Sequence, residues 1–444
     1  MTTTGAPINV IIMGAAGRDF HNFNCCYRND ARYRIVAFTA TQIPDIEGRV
    51  YPATLAGNGY PDGIPIHAEE ELESLIAQHE AELVVFSYSD IPYMDVMHQC
   101  ARVNAAGANF QLIGAAQTML TSKKPVIAVC AVRTGCGKSQ TTRKVAEVLK
   151  AMGKRIAVIR HPMPYGDLAK QACQRFGELA DMDRHECTIE EREEYELHIR
   201  NGNLLFAGVD YHQILAAAES EADVILWDGG NNDMSFYRSD LLITVADPHR
   251  AGHEVSYYPG ETNLRLADLI LINKVNTAEA AGIETIEANA RRLNPKARVV
   301  RADSAIICKN GGDIKGKRVL VVEDGPTLTH GEMRYGAGHV AAKQFGAGEI
   351  VDPRPFAAGS IKGVFAKYGH LTDVLPAMGY GDQQIADLEA TINATPCDLV
   401  LIGTPFDLAS LIKVNKPTVR IGYELGGAGS EAVAQAVRSH PKLA

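Results

Sequence analysis

Short apolar runs alternate with helical patterns along almost the whole chain. Runs such as INVIIMG, RIVAFTA and DVILWDGG are rich in β-branched residues, and the stretches between them repeat apolar positions every three or four residues. This alternation predicts an α/β fold in which helices cover mostly parallel sheets. The pattern restarts after the polar residues 115–124 and again near the glycine-rich residues 311–317. We therefore predict three domains, over residues 1–122, 123–318 and 319–444.

The composition narrows the classes of protein that this chain fits. A chain of 444 residues exceeds one ordinary core, and 46% hydrophobic with 22% charged residues is typical of a folded protein. A net charge of -9 offers no basic field to nucleic acid. The N-terminus lacks the charged segment of a signal peptide, and no apolar run approaches the roughly 18 residues that a membrane helix needs. Nine scattered cysteines are typical of free thiols, so we expect a cytoplasmic protein that binds neither nucleic acid nor membrane.

Residues 127–142, IAVCAVRTGCGKSQTT, lead from an apolar strand through glycines towards a helix. The ending GKS fits a P-loop, GxxxxGK[ST], but Val132 stands where its first glycine is expected. Glycines let successive backbone N–H groups point inward, and the helix N-terminus adds positive potential at the same place. Lys138 can reach the β- and γ-phosphates, and the Ser139 hydroxyl can ligate Mg²⁺. The predicted nucleotide-binding residues of the loop are Thr134, Gly135, Cys136, Gly137, Lys138, Ser139 and Gln140.

Two later segments complete the predicted nucleotide site. Asp228 ends the apolar strand ADVILWD about 90 residues after the loop, where an acidic residue can hold Mg²⁺ together with Ser139. In LILINKVN, Asn273 and Lys274 are predicted to line the base, but Asn276 occupies the position where guanine recognition needs a carboxylate. ATP is therefore the expected nucleotide. The central domain is predicted to be a P-loop NTPase domain, between a Rossmann-like N-terminal domain and a C-terminal α/β domain that contributes to the substrate site.

Basic and polar side chains recur where predicted strands end, which is where open α/β sheets bind ligands. In an acidic protein, this recurrence predicts a second anion beside the nucleotide. Glu323 and Asp324 also end a strand, next to a glycine-rich polar loop that favours a ligand site. The acidic stretch ECTIEEREEYELHIRNG, by contrast, predicts a solvated helix with paired charges. The predicted substrate-binding residues are Arg18, His21, Arg160, His161, His249, Arg250, Thr327, His330 and Arg334.

Two other classes of function are alternatives to this prediction. A nicotinamide oxidoreductase is suggested by VIIMGAAG, a strand followed by GxxG, but the next strand ends without the carboxylate that binds a ribose hydroxyl. A regulatory or metallochaperone-type nucleotide switch predicts a Cys/His cluster, and the cysteines here lack ligand spacing. Binding of NAD(H), or hydrolysis stimulated by a protein rather than by a small acid, would favour these alternatives.

The phosphate loop resembles the branch of P-loop proteins that includes dethiobiotin synthetase and the ParA/MinD ATPases. Arg133 stands five residues before Lys138, where the additional lysine of the MinD-type loop falls. The resemblance implies that Arg133 contacts the γ-phosphate, from its own subunit or from a neighbour's, as an arginine finger does. A solvent-facing charge at the end of the strand is the alternative. Related proteins often pair across the nucleotide, so a homodimer is expected.

Longer segments resemble one family in particular. RTGCGKSQTTR, RHPMPYGDL, DGGNNDMSFYRSDLLITVADPHRAGHE, YYPGETNLRLADLILINKV and EDGPTLTHGEMRYGAGHVAA are similar to cyclic 2,3-diphosphoglycerate synthetase. The resemblance implies ATP-dependent closure of 2,3-diphosphoglycerate to its cyclic phosphoanhydride, with release of ADP and phosphate. Lys138, Arg133 and Asp228 are then the expected catalytic residues. The alternatives are a member of the same family that acts on another phosphorylated acid, or a regulatory nucleotide switch.

Overall fold

The computed structural model describes residues 6–41, 46–164, 166–230, 233–329, 331–378, 381–404, 408 and 411–443. Within these ranges the three largest sheets follow one another along the chain, as the three predicted blocks do. Their ladders are parallel apart from one antiparallel strand in each of the first two sheets, which confirms the predicted α/β fold. None of the described helices has the length and apolar character needed to cross a membrane.

The first block forms a six-stranded sheet. Its elements are β1 (Ile8–Met13), α1 (Arg18–Asn22), β2 (Tyr33–Ala40), β3 (Val50–Tyr51), α2 (Ala53–Ala56), β4 (Ile64–Ala68), α3 (Leu72–His79), β5 (Leu83–Phe86), β6 (Ile91–Pro92), α4 (Tyr93–Ala105), β7 (Asn109–Gln111) and α5 (Ala115–Thr118). The strand order is β3-β4-β2-β1-β5-β7, with β6 outside this sheet. The apolar run of β1 is buried between β2 and β5, which is why this strand lies in the centre.

The central block forms an eight-stranded sheet. Its elements are β8 (Val126–Ala131), α6 (Lys138–Ala151), β9 (Ile156–Arg160), β10 (Gln174–Phe176), α7 (Ala180–Arg184), α8 (Ile189–Arg200), β11 (Leu204–Ala207), α9 (Tyr211–Glu221), β12 (Val224–Gly229), β13 (Leu241–Ala246), β14 (Tyr257–Tyr258), α10 (Gly260–Leu266), β15 (Leu269–Ile272), α11 (Ala280–Leu293) and β16 (Arg298–Arg301). The order is β10-β11-β9-β12-β8-β13-β15-β16, and β14 pairs with β6 of the first block. Every residue of β8, β12 and β13 is buried, so the phosphate loop leaves the middle of the sheet.

The third block forms a smaller parallel sheet and then returns to the central block. Its elements are β17 (Asp303–Ile307), β18 (Arg318–Asp324), α12 (Gly325–Leu328), α13 (Ala337–Gln344), β19 (Glu349–Ile350), α14 (Gly359–Lys367), β20 (Leu375–Ala377), α15 (Asp382–Ala394), β21 (Leu399–Ile402), β22 (Thr418–Arg420), β23 (Gly422–Gly426) and α16 (Gly427–Arg438). The strands follow the order β19-β18-β21-β22, and β20 pairs with the end of β18. β17 and β23 form an antiparallel ladder, and α16 packs on α6.

The sheets bear on the predicted domain boundaries. β7 ends at Gln111 and β8 begins at Val126, so a boundary at 122/123 falls between two sheets. A boundary at 318/319 falls at the first residue of β18. Val433 and Val437 of α16, however, belong to the same apolar core as β8 and α6. The last helix therefore packs with the central block although it follows the third sheet in the chain.

Candidate nucleotide and acceptor site

The phosphate loop joins β8 to α6 at the carboxyl edge of the central sheet. Gly135 and Gly137 have φ angles of 79° and 105°, a region that residues with a Cβ rarely adopt. A Cβ on Gly137 would also collide with the amide of Asn273. Val132 needs no glycine, because its N–H still donates to the carbonyl of Val245 in β13 at 3.0 Å. The sheet ladder thus extends past β8, and the loop begins one residue later than in the standard motif.

Asn273 and Lys274, at the end of β15, contact the phosphate loop from the side. Asn273 Nδ2 donates to the Cys136 carbonyl at 2.9 Å, and Lys274 Nζ donates to the Gly135 carbonyl at 2.6 Å. Lys274 Nζ also pairs with Asp247 Oδ2 at 2.7 Å. Burial alone would raise the pKa of Asp247, but the nearby cations, led by Lys274, lower it. The two residues predicted to line the base therefore hold the loop in shape, and Asp247, a strand-ending aspartate in ITVADP, was missed.

Asp228 is the centre of a buried charge network at the end of β12. Its Oδ1 accepts hydrogen bonds from Lys138 Nζ and Thr142 Oγ1, both at 2.8 Å. Its Oδ2 lies 2.9 Å from an Arg160 nitrogen and 3.2 Å from His198 Nε2. Burial alone would raise the pKa of Asp228, but the charges of Arg160 and Lys138 hold it well below its ordinary value. Lys138, the predicted phosphate ligand, is thus bound by the predicted metal ligand.

A cleft opens between the phosphate loop and the carboxyl ends of the third sheet. Lys138 and Ser139 line its floor, α8 forms one wall, and Thr327 and Tyr335 lie on the wall from the third block. Among the described residues, those that line the cleft all belong to the central and third blocks. The third block is therefore the outer block that faces the nucleotide site.

Four carboxylates line this cleft. Glu193 and Glu194 come from α8, and Glu323 and Asp324 come from the end of β18. The Asp324 carboxyl is hydrogen-bonded to Glu193 and Thr327, and burial raises its pKa. Burial also raises the pKa of Glu323 to about 7, although three backbone N–H groups at the start of α13 donate to its carboxyl. The cleft therefore has a strongly acidic wall opposite the phosphate loop.

The helix α8 corrects one expectation from the sequence. A solvated helix was predicted there, but Glu193, Tyr195, Glu196 and His198 are all at most 5% exposed. The helix packs on β11 and turns its charged residues towards the cleft rather than towards water. Charge pattern alone missed this, because the pairing of buried carboxylates with cations from other elements is not visible in a single helix.

The structure also corrects three of the predicted substrate-binding residues. Arg18 Nε pairs with Asp233 Oδ1 at 2.7 Å, and its guanidinium lies 4.3 Å from the centre of the Phe236 ring. The His21 ring stacks on Phe236 at 4.1 Å, and the His161 ring lies 4.9 Å from the same ring. Arg18, His21 and His161 do not line the cleft; they join the first block to the central block.

The other six predicted substrate residues divide into four groups. Arg250 lies beside the phosphate loop, where it pairs with Asp247 at 3.2 Å and donates to the carbonyl of Gly331. Arg334 is exposed and is not among the residues that line the cleft. His330 lies outside the described residues. The three that line the cleft are Arg160, His249 and Thr327.

Arg133 lines the cleft, but carboxylates hold its side chain. It is 2% exposed, so the solvent-facing alternative is wrong. Its guanidinium also does not project freely, because Asp90 and Glu332 pair with it. An arginine finger in this conformation would first have to leave both carboxylates.

The phosphate loop fits a nucleoside triphosphate. Thr134 Oγ1 and Gln140 Nε2 are buried polar atoms without a protein partner, one in the loop and one in the first turn of α6. Phosphate oxygens can accept hydrogen bonds from both, together with the loop amides and Lys138. Ser139 lines the cleft and can hold Mg²⁺, which would neutralise the negative charge of the bound phosphates. Asp228 can join it only when Lys138 and Arg160 release the carboxylate.

The chain is similar to several known proteins. A family model described as the CobW/HypB/UreG nucleotide-binding domain matches residues 215–301, which include Asp228, Asp247 and Asn273. Arginine synthetase ArcE of Thermococcus kodakarensis is 58% identical over 433 residues, covering 98% of this chain and 97% of ArcE. The crystal structure of LpxK from Aquifex aeolicus in complex with ATP is 13% identical, with a TM-score of 0.44, and covers 83% of this chain and 99% of that chain. The MinC:MinD complex of Aquifex aeolicus is also 13% identical, with a TM-score of 0.18 and coverage of 51% and 80%. Neither the family model nor ArcE carries the name cyclic 2,3-diphosphoglycerate synthetase.

Proposed function

Because the chain belongs to the family of arginine synthetase ArcE, we propose that it is an ATP-dependent synthetase that forms arginine. The observation that carries this proposal is the acidic wall of the cleft opposite the phosphate loop. The family relation supports a synthetase with a nucleotide-binding P-loop domain. The acidic wall supports an acceptor or product that carries a positively charged group.

The charges around the cleft favour a cationic acceptor or product. Glu194 is already paired with Arg160, so Glu193, Glu323 and Asp324 are the carboxyl groups that favour an ammonium or guanidinium group over a small acid with two phosphates. A bound cation would also lower the pKa values of Glu323 and Asp324, which burial raises. The nearby cations do not offset this wall, because Lys138 and Arg160 already pair with Asp228 and Glu194. A polyanion would have to displace these carboxylates before it could bind Lys138 or Arg160.

The chemistry of the proposed reaction follows from the product. A guanidinium carbon is made from a ureido carbon by replacing its oxygen with nitrogen, and oxygen is a poor leaving group until it is phosphorylated. The ureido oxygen attacks the γ-phosphorus of ATP, and ADP departs. Ammonia then adds to the ureido carbon, and the bond from this carbon to the phosphorylated oxygen breaks to release phosphate. The products are arginine, ADP and inorganic phosphate, and one proton is released to the solvent when ammonium supplies the ammonia that reacts.

The residues of the site have matching roles in this reaction. The loop amides and Lys138 hold the phosphates and stabilise the charge that develops during transfer. Bound Mg²⁺ would neutralise the β- and γ-phosphates. Glu193 and Asp324 bind the cationic end of the acceptor, which holds the ureido carbon in front of the γ-phosphorus.

Cyclic 2,3-diphosphoglycerate synthesis is the second candidate. The sequence segments quoted above favour it, and Lys138, Arg143, Arg160 and Lys274 line the cleft as possible phosphate ligands. In that reaction one substrate phosphate attacks the γ-phosphorus, and the other phosphate then displaces inorganic phosphate to close the ring. The acidic wall of the cleft argues against this substrate.

One experiment distinguishes the two candidates. The protein is incubated with ATP, Mg²⁺, ammonium and citrulline, a ureido amino acid, and arginine is measured by chromatography together with ADP. A parallel reaction contains 2,3-diphosphoglycerate and is followed by ³¹P NMR. We expect arginine and ADP in equal amounts from the first reaction and no cyclic phosphoanhydride from the second. A cyclic product, or the absence of arginine from a preparation that binds ATP, would overturn the proposal.

A further inference from the structure

Arg133 is buried where the first, central and third blocks meet. Its Nε lies 2.6 Å from Asp90 Oδ1, in the loop after β5 of the first block. A terminal nitrogen lies 3.2 Å from Glu332 Oε2 of the third block, and another lies 2.7 Å from His253 Nδ1 of the central block. The guanidinium also lies 3.6 Å from the centre of the Tyr257 ring. One side chain thus contacts all three blocks through directed bonds.

Asp90 binds the phosphate loop a second time. Its Oδ2 accepts a hydrogen bond from the backbone N–H of Thr134 at 3.2 Å, while Oδ1 pairs with Arg133. The same carboxylate therefore holds a side chain and a backbone amide at the start of the loop. Asp90 has a φ of 61°, a left-handed conformation that costs energy for a residue other than glycine. The first block does not line the cleft, but it fixes the entry into the phosphate loop.

Residues 331–336, which we call the acceptor loop, contact the same place from the third block. Met333, Tyr335 and Gly336 of this loop line the cleft. Glu332 pairs with Arg133, and the carbonyl of Gly331 accepts a hydrogen bond from Arg250. The acceptor loop is therefore attached to the nucleotide-binding side of the cleft at two neighbouring residues. The Glu332 side chain is 59% exposed, so its bond to Arg133 is the weaker attachment.

We propose that Arg133 is a positioning residue that fastens the acceptor loop to the phosphate loop, with Asp90 of the first block as its anchor. Asp90 holds Arg133 in place, and Arg133 in turn holds Glu332. The distance between the γ-phosphate and the acceptor then depends on this chain of contacts. Arg133 has this role with any acceptor that binds in the cleft, so the inference does not depend on the arginine-forming reaction.

Hydrogen exchange measured by mass spectrometry tests the proposal without an acceptor. Glu332→Gln removes one half-exposed ion pair, so we expect exchange in residues 331–336 to rise about two- to fivefold while residues 132–138 stay unchanged. Asp90→Asn removes the anchor, so exchange should rise in both segments, and the Kd for a fluorescent ATP analogue should increase by about tenfold. Glu349→Gln is the matched control. Glu349 pairs with Arg318 at 2.7 Å, and its side chain is 53% exposed, close to the 59% of Glu332.

Two further measurements separate positioning from a general structural role. Arg133→Lys keeps the charge but carries all its donors on one nitrogen, which cannot reach Asp90, His253 and Glu332 as the three guanidinium nitrogens do, so it should loosen residues 331–336 as Arg133→Ala does. If the acceptor is known, Glu332→Gln should raise its KM and leave the KM for ATP unchanged. Unchanged exchange of the acceptor loop in Glu332→Gln, or wild-type behaviour of Arg133→Lys, would overturn the proposal. If the wild type makes no arginine while the variants show the expected changes in exchange, the proposed function fails and the positioning role of Arg133 stands.

Discussion

Replacing Asp228 by asparagine tests whether the buried carboxylate holds Lys138 until a nucleotide arrives. Asparagine can still accept a hydrogen bond from Lys138 through its oxygen, but its NH₂ group then faces Arg160 and His198. Asp228 and Arg160 are 1% and 2% exposed, so the substitution leaves buried positive charge without its main partner. Breaking a buried ion pair costs about 3–5 kcal/mol. Since Arg160 keeps Glu194, we expect the lower end, about 3 kcal/mol of unfolding free energy.

The same substitution should strengthen binding of metal-free nucleotide. In the wild type, Lys138 must leave Asp228 before it reaches the phosphates, and part of the binding energy is lost in that step. In Asp228→Asn the triphosphate itself supplies the missing negative charge. We expect the Kd for ATP in EDTA to fall at least tenfold, or about 1.4 kcal/mol, while turnover with Mg²⁺ is lost. Urea unfolding gives the stability, and titration of a fluorescent ATP analogue gives the Kd.

Asp223→Asn is the control, because Asp223 directly precedes the same strand, β12, and pairs with exposed Arg155. An exposed pair contributes about 0–1 kcal/mol, so this variant should differ little from the wild type in either measurement. The reasoning would be refuted if Asp228→Asn bound metal-free ATP more weakly than the wild type, or if its stability matched that of Asp223→Asn.

Three further predictions concern the same loop and its charges. Lys138→Ala should lower turnover by at least about 10²-fold in a coupled ADP assay, because it removes the charge that neutralises the transferring phosphate; a smaller loss would show that the loop amides suffice. Gly137→Ala should abolish binding of the ATP analogue, since a φ of 105° and contact with Asn273 exclude a Cβ; normal binding in the same titration would contradict this. The pKa of Asp228 is held well below its ordinary value of 3.8, so its contribution to stability is fully present above that pH and is lost gradually as the pH falls towards the lowered pKa. Urea unfolding of wild type and Asp228→Asn should therefore converge below about pH 4, and a constant difference would be evidence against the assigned charge network.

The parts of the molecule that depend on local pattern were predictable from the sequence. Fully buried parallel strands read as continuous apolar runs, so the α/β class and the order of strand, phosphate loop and helix followed from the pattern, whereas β10 and β11 were missed. Gly135, Gly137, Lys138 and Ser139 are consecutive in the chain, and their geometry follows from the turn they form. Asp228 was found for the same reason, because a strand-ending aspartate has a visible position in the pattern.

The errors concern side chains whose partners come from distant segments. Arg18 begins α1 and His161 follows the end of β9, both positions where ligands often bind, but the packing of one block on another covers them. Their burial depends on Phe236, which is remote from Arg18 in sequence and gives no local signal. Glu193 was predicted to lie on a solvated helix because α8 is charged throughout. Only the packing of the third block shows which face of that helix is covered. The order of strands predicts which edges can hold ligands, but tertiary packing decides which of those edges remain open.

The cleft shows why the sign of the acceptor's charge is a better prediction from the structure than from the sequence. Counting basic residues at strand ends favoured a polyanion, because Arg160, Arg250 and Lys274 were treated as free. In the fold, Arg160 pairs with Asp228 and Glu194, and Arg250 and Lys274 both pair with Asp247. A paired cation offers little net field to a ligand beyond its partner. Under the proposed function, the wall that includes Glu323 and Asp324 favours an acceptor that brings a positively charged group of its own.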